Sequence, residues 1–134
     1  MKRLGWLVMA VVTIVGCAGP RKAEIRPLHA PMGTSAAVSQ QLEQGNQLLL
    51  NGDWIGAREI YVATIRADQQ LAEAHYNLAL ALEKLGEKAE ARKHYVAAAN
   101  LAPGNKVIWD APTLRKYESE LTLDKKSWMD PNPK

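Results

Sequence analysis

A chain of 134 residues, 47% apolar and 23% charged, has room for one globular domain plus sequence outside it, and lacks the apolar depletion of a disordered protein. Its single cysteine excludes an intramolecular disulfide framework and any multi-cysteine zinc site. The formal charge of +3 owes two cations to Lys2 and Arg3, the rest is nearly balanced, and no basic stripe points to nucleic acid.

Lys2 and Arg3 precede an uncharged run from Leu4 to Gly16. The run is shorter than the roughly 20 apolar residues that cross a bilayer, and suits the apolar core of a secretory signal peptide. It closes on Ile14-Val15-Gly16-Cys17, with a branched apolar residue three before the cysteine and a small residue just before it. These four residues resemble the lipobox of bacterial lipoproteins. The resemblance implies a signal peptide over 1–16, cleavage before Cys17, a diacylglycerol thioether on Cys17 and acylation of its new amine. Each buried CH₂ adds about 0.8 kcal/mol of membrane affinity, so two or three acyl chains hold stably where one does not. The alternative is a buried or free thiol near a cleavage site, or an uncleaved anchor. Ala18 stands where an Asp favours inner-membrane retention in Gram-negative lipoproteins. For such a source it implies an outer-membrane anchor facing the periplasm.

Residues 17–35 come next. With three prolines and two glycines they are expected to form a flexible linker that extends without packing, reaching about 60 Å at full stretch. His29 falls in this linker and is expected to be solvated.

From residue 38 the chain repeats itself. Ala57-Arg58-Glu59-Ile60-Tyr61-Val62-Ala63 returns as Ala91-Arg92-Lys93-His94-Tyr95-Val96-Ala97, and Leu48 and Gly52 return as Leu82 and Gly86, all offset by 34. Each window predicts two helices. Val38 to Leu50 is followed by an Asn51-Gly52 turn, with Asp53 as the N-cap of Trp54 to Ala67. Ala72 to Leu85 ends at Gly86, and Glu87 to Leu101 ends before Pro103-Gly104. Small residues at Gly45, Ala57, Ala79 and Ala91 allow close helix crossings. Tyr61 and Tyr95 are expected in the core. The windows resemble tetratricopeptide repeats. The second keeps Leu78, Ala79, Leu82, Ala91, Tyr95, Ala98 and Pro103. The first keeps Gly45, Leu48, Ala57 and Tyr61, but departs at Gln44, Thr64 and Gln69, as a repeat with a water-facing outer side would.

Pro112 to Leu121 carries Leu114, Tyr117 and Leu121 at helical spacing and predicts a capping helix of about 112–123, followed by a tail over 124–134. The expected architecture is all-α: a helical-hairpin solenoid over 36–123 with repeats 38–71 and 72–105 plus the cap, behind the signal peptide and linker. Two repeats and a cap make a small stack, so a homodimer through an open end is a further expectation.

No catalytic, cofactor or metal motif is present, and the expectation is a non-enzyme. His75 and His94 have no ligand partner at helical spacing and read as ordinary structural or surface histidines. Glu43, Glu73 and Glu83 could line one concave face, where a carboxylate pair could do acid–base work; a solvated face is the simpler reading. The family resemblance implies a groove for an extended peptide or a partner helix, lined by Leu42, Glu43, Asn46 and Leu49 and by Glu73, Tyr76, Asn77, Leu80, Glu83 and Lys84. Asn77 matches the family asparagine that can bond a peptide backbone. The acidic groove argues against clamping a C-terminal carboxylate. The functional expectation is a lipid-anchored scaffold for protein partners in the cell envelope, in the manner of small repeat lipoproteins of pilus biogenesis or of outer-membrane and peptidoglycan assembly. The alternatives are a structural, self-associating lipoprotein and, third, an enzyme or a binder of small envelope ligands.

Overall fold

The structure, a computed structural model, describes residues 25–111 and Leu114. The predicted signal peptide, Cys17, most of the predicted capping helix and the predicted tail lie outside the described residues.

Five helices follow in order: α1 (Ala36–Leu50), α2 (Trp54–Ala67), α3 (Ala72–Leu85), α4 (Lys88–Leu101) and the short α5 (Lys106–Trp109). No strand occurs among the described residues. α1 starts two residues earlier than the sequence pattern indicates, because the Ser35 hydroxyl accepts the Val38 N–H and caps it. Asp53 caps α2 as expected, its carboxylate accepting the Gly56 N–H at 2.9 Å.

Both hairpins turn in the same way. Gly52 and Gly86 sit at φ +85° and +82°, a left-handed conformation that costs a residue with a Cβ and costs glycine nothing. The next N–H then folds back in each case: Asp53 donates to the Leu48 carbonyl and Glu87 to the Leu82 carbonyl, both at 2.9 Å. These residue pairs are 34 apart, so the sequence repeat is also a repeat of backbone geometry.

Consecutive helices pack on one another, and α1 also touches α3. α1 and α3, the first helices of the two hairpins, therefore lie side by side. The core runs through Leu42, Leu49, Ala57, Tyr61, Leu78, Ala79, Leu82, Ala91, Tyr95 and Ala98. The small residues predicted at the helix crossings are all inside it or, for Gly45, against Tyr61. Beyond Pro103, Asn105 caps α5 through its side-chain oxygen and brings Ile108 and Trp109 into the core. Leu114 is also buried there.

One expectation fails. Residues 25–35 do not behave as a non-packing tether: Ile25, Leu28 and Ala30 pack against the core. After a turn in which Thr34 N–H donates to the Pro31 carbonyl at 3.3 Å, the chain enters α1. Upstream of that turn the segment returns antiparallel to α1, Leu28 lying at Asn46 and His29 at Glu43. The linker composition averages over a short stretch in which Pro27 restricts the backbone and apolar side chains still find cover.

Candidate functional site: the α1–α3 groove

The groove is built on two asparagines. Asn46 of α1 and Asn77 of α3 are almost wholly buried, 1% and 0% exposed, so each of their polar atoms needs a partner. Asn77 meets Leu28 twice: its side-chain oxygen accepts the Leu28 N–H at 2.7 Å, and its amide nitrogen donates to the Leu28 carbonyl at 2.7 Å. The N–H and C=O of a single residue point the same way when that residue is extended, as in a hydrogen-bonded antiparallel strand pair. Asn77 thus acts as a side-chain substitute for a neighbouring strand.

Asn46 completes the arrangement. Its amide nitrogen donates to the same Leu28 carbonyl at 3.0 Å and lies 3.3 Å from Glu43 Oε2. Its oxygen accepts from Asn77 Nδ2 at 2.8 Å and from the Tyr61 hydroxyl at 2.8 Å. Every contact joins a donor to an acceptor, which fixes the orientation of both amides. Burial, with the Glu43 carboxylate nearby, pushes the Tyr61 phenol far above its ordinary value, so it remains a donor. At the groove edge, His29 Nδ1 lies 2.8 Å from Glu43 Oε2. The expected solvated histidine is exposed, yet it has a partner.

The remaining groove residues differ in burial and in partners. Leu42 and Leu49 are fully buried in the core. Tyr76 is buried, packed edge-on against Tyr95 with ring centres 5.6 Å apart, and burial and Glu83 raise its phenol above the usual range. Leu80 is half-buried against the core, whereas Lys84 is exposed with its ammonium 5.9 Å from the Trp54 ring. The three glutamates do not pair with each other. Glu43 takes His29 and Asn46, Glu83 accepts the Tyr95 hydroxyl at 2.9 Å, and Glu73 meets Asn105 Nδ2 at 3.4 Å. Each carboxylate has partners of its own.

A second polar cluster was not visible from helical spacing. His75 of α3 and His94 of α4 meet across the hairpin, Nδ1 to Nδ1 at 3.0 Å, and His75 Nε2 faces the Gln69 carbonyl at 3.3 Å. With Nε2–H donating to the carbonyl, His75 Nδ1 is the acceptor and His94 Nδ1–H the donor. Burial depresses both histidines, and His75 lowers His94 further. Nineteen positions separate them, so only the hairpin register brings them together. No group of three or more metal-ligating residues forms among the described residues.

No curated protein and no solved structure matches the chain. Residues 72–105, the hairpin of α3 and α4, match the family model of the tetratricopeptide repeat. The described chain is an all-α stack of helical hairpins consistent with a tetratricopeptide-type solenoid, and its second hairpin is similar to the tetratricopeptide repeat, a repeat that generally mediates protein–protein interaction.

Proposed function

We propose that this chain is a lipid-anchored scaffold of the bacterial cell envelope whose α1–α3 groove captures an extended segment of a protein partner. The observation that carries the groove reading is the double hydrogen bond between Asn77 and the Leu28 peptide unit: two buried amides hold a backbone by its N–H and C=O. Such contacts are indifferent to side-chain identity, so main-chain bonding supplies affinity while neighbouring pockets and charges select the sequence. Ile14-Val15-Gly16-Cys17 supports the anchor, and Ala18 an outer-membrane location with the module in the periplasm. Assembly of pili, outer membrane or peptidoglycan is the setting in which small repeat lipoproteins of this kind serve.

Photocrosslinking in the native envelope tests the groove. A benzophenone side chain at Lys84, exposed on α3, is expected to give adducts with a second protein, and one at Lys93, exposed on α4, is not. Equal yields from both positions, or none from Lys84, would refute a groove-based role. The anchor has its own test: Cys17→Ser protein should leave the membrane fraction, and retention there would overturn lipidation.

A further inference from the structure

The groove is already filled, and by this chain. Residues 25–30 bring Leu28, whose N–H donates to Asn77 and whose carbonyl accepts from Asn46 and Asn77, and next to it His29, whose ring reaches Glu43. Ile25 and Ala30 cover apolar surface on either side. We propose that this segment is a resident competitor: the partner is an extended segment of the same chemistry, an aliphatic residue followed by a cationic or hydrogen-donating one, and it binds by displacing residues 25–30. The proposal rests on the groove reading above and adds what the groove selects and what it must overcome.

Two observations make the occupant exchangeable. Leu28 and its neighbours are half-buried or exposed, and the hydrogen bonds that hold Leu28 engage main-chain atoms that any extended residue also offers. Conversely, an empty groove forfeits the three hydrogen bonds between Leu28 and the Asn46 and Asn77 amides, and another extended backbone restores them. The acidic side chains along the groove, Glu43 above all, favour a cation in the incoming segment. Competition is severe because the segment is joined to α1 through only the Pro31–Ser35 stretch, which gives it an effective concentration on the order of millimolar or above. A partner therefore needs contacts beyond those of residues 25–30, and its apparent affinity is divided by the fraction of open groove.

The experiment uses the full-length protein in detergent and a fluorescent peptide with the sequence EIRPLHA, which is that of residues 24–30. In Leu28→Asp/His29→Glu the resident segment loses its apolar contact and is repelled by Glu43, so the groove opens. The expected result is at least tenfold tighter peptide binding by this variant than by the wild type, with a Leu-to-Asp version of the peptide failing to bind either. Equal binding by variant and wild type, with the helical circular dichroism unchanged, overturns the proposal. Should the double variant lose its helical signal, His29→Glu alone carries the test with an expected gain of about threefold, and no gain overturns it. A wild-type dimer that the variant cannot form would make a second copy the occupant and overturn the partner claim. Adducts at Lys84 without a gain in peptide binding would leave the groove reading standing and remove only the competition.

Discussion

A Cβ built on Gly45 would lie 2.5 Å from Cε1 of Tyr61, closer than packed carbon atoms come. Tyr61 is fully buried and its hydroxyl is committed to Asn46, so the ring cannot swing aside without breaking the groove network. Gly45→Ala should therefore destabilise the protein by about 1–3 kcal/mol, despite alanine's better helix propensity. Gly104→Ala, where the new methyl meets open space, is the control and should stay within about 0.5 kcal/mol. Urea unfolding of the two variants checks the contrast.

Removing the Asn77 amide deprives the Leu28 N–H of its acceptor and the Asn46 oxygen of one of its two donors. Asn77→Ala should cost about 1–3 kcal/mol in thermal or urea unfolding, and the Leu28 amide should lose protection in hydrogen exchange. Unchanged exchange at Leu28 would mean that the segment is held by something other than this side chain. The same burial makes alanine at Tyr76 or Asn77 a poor probe of partner binding, since stability changes along with affinity.

The His75–His94 pair predicts a stability that falls with acidification. Both histidines are depressed in the folded state, so the unfolded chain takes up protons more readily; stability is full above the ordinary histidine value near 6.5 and declines as pH drops below it. Gln69 faces His75, while Glu90 opposes the shift at His94 and Lys93 adds to it. The melting temperature should fall between pH 7 and pH 5, and His94→Gln should flatten that fall. An identical pH profile in the variant would show that other groups control it.

Trp109 is 1% exposed in the four-residue helix α5. Trp109→Ala should cost about 3–5 kcal/mol, the range for truncating a large buried aromatic, and would show in the urea midpoint. A smaller loss would mean that the residues beyond Pro103 contribute little to the stability of the second hairpin.

Much of the fold was legible because its signals are local and repeated. The bounds of α2 and α3, the Asp53 cap, the glycine turns and the small residues at helix crossings all follow from short-range rules. α5 was missed because four residues are too few to show a period. Residues 25–30 escaped for a different reason: their order depends on side chains of Asn46 and Asn77, 18 and 49 positions from Leu28, and no periodicity in the segment itself announces such partners. The available clue lay in the asparagines, since two amides expected along one groove need something to bond. The His75–His94 contact depends on the register of α3 against α4, which helical spacing within one helix does not encode.

Where the chain is first held also sets how far the module stands from its anchor. Between Cys17 and Ile25, which packs on the core, stand residues 18–24, which at full extension would reach roughly 25 Å, against about 60 Å for the whole of 18–35. With Cys17 in a membrane, a partner that evicts residues 25–30 would lengthen the leash by about 35 Å. Occupancy of the groove and height above the bilayer would then be one variable, and a bound partner could be handed outward by the same event that captured it.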